Sequence, residues 1–423
     1  MEETQAKAYQ RGQLMYIFEA ALEYLISILV AGAYLATLTK ELGMSDSLTG
    51  VLSSDISLGC LFQLLSITYR RRQVKSFVIV MSIVNQLLFM LLYVIPLINI
   101  GKQAKIVIFV VALVLAYLIY NFAHPKKISW LMALVDDHHR GNFTANKEIF
   151  SLISGMIFTF LMGSMIDHFT ERGEIRTAFI LSAVVILVLM VLHTATMLLT
   201  VEKPMPEVKK KNLLKNISEV FGNRQVLKVT GVFVLYYIAS YMATPFYGTY
   251  QINELGFELK FVSLLTIVSS IVRISVSKFW GRYADKNSFV AMVEKCLIIL
   301  ALAFASAACA VPANGGIMFM LYYIFYGIAM GGINSALINL VFDYVVPEQR
   351  ADSLAICQAV SGLTGFMVTL AVSPLVTAIQ NNGNIILGRT VYAQQLISGM
   401  GLVVVIAAII YIRLVLGKKS KSL

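Results

Sequence analysis

Charge is what this chain has least of: 13% of its 423 residues are Asp, Glu, Lys or Arg, while 58% are hydrophobic. With a mean hydropathy of +0.77, a water-soluble domain could not cover that much apolar surface, which excludes soluble enzymes and soluble binding modules. Cysteine is nearly as scarce. The four present, Cys60, Cys296, Cys309 and Cys357, show neither paired nor metal-type spacing, so a disulfide framework and a thiolate metal site are excluded and the residues read as small apolar packing groups. No G-x-x-x-x-G-K-[ST] segment occurs, which excludes ATP-driven work within this chain. No Ser/His/Asp or Cys/His constellation is recognisable either, so neither an enzyme nor a bound cofactor is expected. The run Asp136-Asp137-His138-His139 has metal-ligand residue types, but adjacent positions on a short loop do not converge on one ion, and no metal is expected.

What is present in quantity is long apolar sequence. A helix needs roughly 20 predominantly apolar residues to cross the hydrocarbon layer. Twelve such stretches are predicted, at 14–38, 48–68, 76–98, 104–123, 148–166, 177–199, 227–251, 261–279, 288–311, 317–345, 353–378 and 393–416. The net charge of +11 would suit nucleic acid if it formed one patch, but it collects on alternate loops. Of the 34 Lys and Arg, 25 fall on one set of segments and 7 on the other, with Arg273 and Lys295 inside spans. That asymmetry places both termini on the cytoplasmic side of a cytoplasmic membrane and excludes a nucleic-acid partner. Lys418, Lys419 and Lys421 are expected at the anionic lipid surface. The polar residues before the first span and its length argue against a cleavable leader, so that span is expected to stay in the mature chain. The sequon Asn142-Phe143-Thr144 then falls inside.

The chain also repeats itself after about 212 residues. Glu41-Leu42-Gly43 matches Glu254-Leu255-Gly256, Lys75-Ser76-Phe77-Val78 matches Asn287-Ser288-Phe289-Val290, Arg140 matches Arg350, and Gly155 matches Gly365. Six spans per repeat is an even number, so both halves enter the membrane in the same direction. The expected domains are a six-helix bundle over 1–200, a cytoplasmic linker over 201–228, and a second six-helix bundle over 229–423. In the linker, Leu213, Leu214, Ile217, Val220 and Phe221 are spaced for an amphipathic surface helix.

These features meet in the loop motifs. Gly281-Arg282-Tyr283-Ala284-Asp285-Lys286, following Lys278-Phe279-Trp280, resembles the cytoplasmic signature after the second and eighth helices of the major facilitator superfamily. Arg140-Gly141 and Pro347-Glu348-Gln349-Arg350 resemble that superfamily's second cytoplasmic loop in each half. The first-half copy, Tyr69-Arg70-Arg71-Arg72-Gln73-Val74-Lys75, lacks the glycine and the aspartate. The resemblance implies an all-α integral membrane protein of twelve transmembrane helices in two repeats, acting as a monomer by alternating access. Gly281, Arg282 and Asp285 with Arg140 and Arg350 would then form a marginal cytoplasmic latch.

An ionised side chain at mid-bilayer costs about 2.5–3.5 kcal/mol, so charges within spans should face a cavity or a partner. Glu19 and Glu23 share one helical face, and two close carboxylates suit a proton carrier. Asp55, Arg273 and the pair Glu294-Lys295 are the other charged candidates. Glu19 is alternatively a partner of loop lysines, and Arg273 either clamps an anionic substrate or pairs with Glu19, Glu23 or Asp343. Asn334 and Asn339 offer hydrogen bonds beside the small-residue face of Gly327 and Gly331. Tyr236, Tyr237, Tyr241 and Tyr326 could stack on a ring-containing substrate, near a bend at Pro245. The expectation is a proton-coupled secondary transporter of a small molecule, using Glu23 with Glu19 or Asp55. The alternatives are an uncoupled uniporter and a non-transporting receptor or lipid-handling protein on the same fold.

Overall fold

The computed structural model describes residues 2–66, 73–135, 140–203, 222–344, 350–386 and 388–416. Among them the protein is helical apart from a short hairpin, Ile385–Ile386 against Arg389–Thr390. The predicted linker helix, the Asp136–His139 run and the Pro347–Gln349 motif lie outside the described residues.

The first span is a broken helix. α1 (Glu2–Leu29) stops and α2 (Gly32–Glu41) restarts at Gly32, whose φ of +53° is a left-handed conformation that a side chain would resist. The second span is broken too, into α3 (Asp46–Ser53) and α4 (Asp55–Ser66). Ser45 caps α3 by accepting from Leu48 N at 3.2 Å, and at its other end the Ser53 and Ser54 hydroxyls donate back to Thr49 O and Val51 O, the local bonding with which serines compete against a continuous helix. The remaining spans are α5 (Lys75–Val94), α6 (Lys102–Met132), α7 (Arg140–Glu171), α8 (Ile175–Leu199), α9 (Arg224–Ala243), α10 (Leu259–Lys286), α11 (Phe289–Ala308), α12 (Gly315–Tyr344), α13 (Arg350–Asn381) and α14 (Ala393–Tyr411). Among the described residues eleven helices are long and apolar enough to cross a membrane, and α3 with α4 forms the other pass. Their outward residues are apolar, as at Ile157, Leu161, Val191 and Val403, each well over half exposed, which suits lipid rather than water.

At Pro245 the seventh span changes from α9 to a 3₁₀ turn, Thr244–Phe246, and then to a π turn, Tyr250–Glu254, the bend expected where proline removes a donor. Pro125 behaves differently. The fourth span is expected to end at 123, yet α6 continues through Pro125 to Met132, so Lys126 and Lys127 are helix residues and not reporters of loop charge.

The repeat read from sequence recurs in backbone and packing. Gly43 and Gly256 both end their spans at positive φ, +63° and +66°. Gly155 lies against the Tyr24 ring, and its counterpart Gly365 lies against the Tyr241 ring. A Cβ at Gly365 would sit 2.9 Å from Tyr241, whereas one at Gly281 would meet nothing within 4 Å. Gly155→Val and Gly365→Val are therefore expected to lower the stability of the purified protein by about 1–3 kcal/mol each, the range for overpacking. Gly281→Val should leave the melting temperature close to wild type.

The chain divides into two compact units. One comprises Met1–Met44, Phe62–Lys209 and Glu258–Ser263, and the other Ser45–Leu61, Lys210–Phe257 and Leu264–Leu423. In the first, Asp167 on α7 caps the start of α10, accepting from Leu259 N at 3.0 Å and Lys260 N at 2.6 Å, and Ser263 donates to Thr159 O at 3.1 Å. Tyr16, Val74, Val78, Trp130, Leu131 and Met197 form one of its cores. Trp130 Nε1 donates to Val201 O at 3.1 Å, and the Glu202 carboxylate accepts from the first N–H groups of α5, Val74 N and Lys75 N. In the second unit, Asp46 accepts from Asn253 at 2.6 Å and Gln380 at 2.8 Å, Ser47 bonds Ser373, and Ser57 donates to Gly362 O at 2.9 Å.

Candidate functional site

Four helices of the first unit bring charge and hydrogen-bonding groups to one buried point. Glu19 and Glu23 come from α1, one turn apart on one face. Lys127 comes from the part of α6 beyond Pro125, His193 from α8, and Gln86 from α5. Glu19, Lys127, His193 and Gln86 are all at most 4% exposed, and the Glu23 side chain is 19% exposed. The packing of Trp130, one turn after Lys127, holds this end of α6 in place.

Lys127 Nζ donates to Glu19 Oε1 at 2.8 Å and also to Glu23 Oε2. His193 Nε2 lies 3.0 Å from Glu19 Oε1, and its Nδ1 lies 3.0 Å from Gln86 Nε2. Nε2, facing a carboxylate that can only accept, carries a proton and donates it to Glu19. The group holds two carboxylates that share the Lys127 ammonium, and the Lys147 ammonium also acts electrostatically on Glu19. Two acceptor atoms remain without partners, Glu19 Oε2 and Gln86 Oε1. Outside this ring, His124 Nδ1 is 3.9 Å from Glu23 Oε1, and Lys147 Nζ lies 4.9 Å from the centre of the Tyr16 ring.

Glu23 opens onto a small cavity, with room for about one water molecule, whose lining includes Ser82, Asn85, Gln86, Tyr120, His124 and Lys127. Glu19, Glu23 and His193 also place donor atoms within 4.8 Å of one another, the kind of convergence that can hold a metal ion. Here the Lys127 ammonium bonds both carboxylates, so the positive charge that a metal would bring is supplied by the chain.

Loop lysines are one expected partner of Glu19, and the lysine that pairs with it, Lys127, falls after the expected end of the fourth span but is a residue of α6 and bonds Glu23 as well. Arg273 lies in the second unit, where it acts electrostatically on Tyr326. Asp55 is buried in that unit as well, with Oδ2 unpartnered. Glu294 pairs with Arg413, at 2.7 Å and 2.9 Å. The tyrosines pack on one another in the second unit: Tyr237 stacks on Tyr241 at 5.5 Å, Tyr236 packs on Tyr237 at 5.7 Å, and Tyr322 stacks on Tyr326 at 5.4 Å. Several are bonded as core residues, Tyr236 to Met330 Sδ at 3.3 Å and Tyr247 to Ser398 at 2.8 Å. Asn334 is exposed, and Asn339 bonds back to Ser335 O of its own helix at 2.8 Å rather than across to another. Of the cytoplasmic motif, Gly281, Arg282 and Asp285 lie in the last turns of α10, while Arg140 and Arg350 begin α7 and α13 with side chains outside the described residues.

Lys127 and His193 are the residues that sequence reasoning misses. Lys127 is hidden by Pro125, which reads as a helix end, and His193 is a lone histidine in an apolar run, a signal in its own right because polar side chains are costly there.

Two architectural facts, twelve passes and a twofold internal repeat, thus accompany a buried ionic site. The chain's fold is similar to that of a variant of the nucleoside transporter NupG, with a TM-score of 0.72 at 12% identity, covering 95% of this chain and 99% of that one. It is similar to a D-xylose-proton symporter, with a TM-score of 0.62 at 14% identity and 99% coverage of both chains, and to the POT family transporter PepTSo, 0.68 at 12%, covering 95% and 98%. Comparison with curated protein sequences gives no match. The profile of the Major Facilitator Superfamily matches residues 17–373, and with twelve apolar passes, a duplicated six-helix plan and ionisable groups kept within the spans, the chain belongs to that superfamily of membrane transporters.

Proposed function

We propose that this protein is a secondary active transporter that moves a small molecule across the cytoplasmic membrane by alternating access, coupled to protons through Glu23. The observation that carries the reading is that two buried carboxylates share one ammonium, Lys127, beside a small cavity. Two close carboxylates in a low-dielectric interior disfavour double ionisation, and binding one proton relieves them. Glu19 is committed to Lys127 and His193, whereas Glu23 is the carboxylate at the cavity edge, so Glu23 is the exchangeable site and Glu19 its fixed neighbour. The latch of Asp285 with the two loop arginines is part of the proposal, as is the division into two six-helix bundles joined by a cytoplasmic linker.

The test is proton movement. Purified wild-type protein in weakly buffered detergent, taken through a pH jump, is expected to take up a proton that Glu23→Gln does not. In proteoliposomes the same variant should insert normally and lose pH-gradient-driven transport. Undiminished proton uptake by Glu23→Gln would overturn the coupling assignment. An uncoupled uniporter would show substrate flux indifferent to the pH gradient.

A further inference from the structure

Two buried polar atoms at the edge of the ionic group make no hydrogen bond: Nδ1 of His124, and the carbonyl oxygen of Gln86, whose amide nitrogen is bonded to His193. Both residues line the small cavity onto which Glu23 opens. His124 Nδ1 is 3.9 Å from Glu23 Oε1, beyond the roughly 2.7–3.2 Å of a direct hydrogen bond and short enough for one water to bond both. The cavity has room for about one water molecule, and a buried water needs about 2–4 polar partners. They are present: His124 Nδ1, the Glu23 carboxylate, the Gln86 carbonyl and the Lys127 ammonium, which has three donors and gives two of them to the glutamates. The Tyr120 ring packs 4.9 Å from the His124 ring and fixes its plane. His124 also faces outward. Its side chain is 31% exposed although Nδ1 is buried, so the open part of the ring is the edge away from Glu23. His193 is fully buried and has no such outlet. An imidazole with one nitrogen inside and the other toward solvent can take a proton at one and release a proton from the other.

We propose that His124 relays protons between solvent and Glu23 through a single water molecule held in this cavity. The inference rests on the proton-coupled reading above and names the route by which Glu23 is loaded. In the loading step solvent delivers a proton to Nε2, Nδ1 passes its own proton to the water, and the water passes one of its protons to the Glu23 carboxylate. One proton enters and one arrives, the water is regenerated, and the ring is left neutral with its proton on Nε2. Unloading is the same sequence in reverse. The Gln86 carbonyl is a positioning group here, since by accepting from the water it aims the second O–H at Glu23. The titratable and charged groups around His124 and the cavity are Glu19 and Glu23 from α1, Tyr120 and Lys127 from α6 itself, Lys147 from α7 and His193 from α8; α5 contributes no titratable group.

A relay sets the rate of proton uptake and not its amount. Uptake after a pH jump is followed by stopped flow with a pH indicator in wild type, His124→Gln, His124→Asn and Glu23→Gln. Because Nδ1 has no hydrogen bond to lose and the side chain is partly exposed, both His124 variants are expected to melt close to wild type. They should take up as many protons as wild type, Glu23 being intact, at a rate at least about tenfold lower. A positioned acid–base group contributes ~10²–10⁴-fold, and direct hydration of the cavity supplies a slower route in its absence. Free imidazole in the buffer should speed uptake by the two His124 variants and leave wild type unchanged, a response that a merely structural role would not give. Uptake at the wild-type rate in both variants, or slow uptake that imidazole does not speed, overturns the relay. Loss of the uptake itself in the His124 variants overturns it as well. Wild-type uptake by Glu23→Gln would instead overturn the coupling assignment on which the relay rests, so the two failures are told apart by which variant shows them.

Discussion

Lys127→Met is expected to be among the most damaging single substitutions in this protein. The side chain is 4% exposed and is the one ammonium bonded to both Glu19 and Glu23. Methionine keeps the length and removes the charge, which leaves two carboxylates facing each other without the ammonium that bonds both. Removing one partner of a buried ion pair costs about 3–5 kcal/mol, most of it the uncompensated charge left behind. Thermal melting of the purified protein should show a drop of that size at neutral pH. The sign of the pH dependence follows from the same count: acidification supplies the missing positive charge as protons on the carboxylates, so the deficit should shrink as pH falls. Adding Glu23→Gln to Lys127→Met should also restore stability, because the remaining Glu19 keeps its His193 contact at 3.0 Å. A Lys127→Met protein that melts like wild type at neutral pH would show that the charges are solvated.

The double variant Glu19→Gln/Glu23→Gln should fail in the opposite direction. Each single replacement leaves one carboxylate for Lys127, so each is expected to shift stability only by the worth of a charge-assisted hydrogen bond, about 1.5–3 kcal/mol at most. Together they strand a buried ammonium with no carboxylate, the same uncompensated-charge penalty of about 3–5 kcal/mol with reversed sign. The effect should therefore exceed the sum of the singles, the signature of groups that share a partner, and Lys127→Met in the double-variant background should relieve it. Additive losses would mean that the two glutamates act independently, against the shared ion pair.

Much of this protein is legible in its amino-acid order. Glu19 and Glu23 are recognisable because charge inside an apolar span has to be accounted for, and their spacing fixes them on one helical face. Gly155 and Gly365 match each other in sequence, and each seats a tyrosine of its own unit. Lys127 is not legible, because proline ends most helices and the two lysines after it look like loop charge. The packing of Trp130 and the continuation of α6 to Met132 override that local preference. Asp55 and Arg273 group with Glu23 in sequence because all three are ionisable and intramembrane, a criterion that says nothing about which unit holds them. The tyrosines pack on one another, yet whether a ring packs in a core or lines an opening depends on helix rotation, which composition does not encode.

The sequence by itself determined the membrane class, the twelve passes, the duplication and the presence of acids in the first span, because hydropathy, loop charge and repeat spacing are properties of segments and each is imposed locally by the bilayer. Only the tertiary structure decided that Glu19 and Glu23 share Lys127 and that His193 is bonded between Glu19 and Gln86 beside a small cavity. Such a cluster is built from side chains of α1, α5, α6 and α8, and it exists only once packing has brought the four helices together.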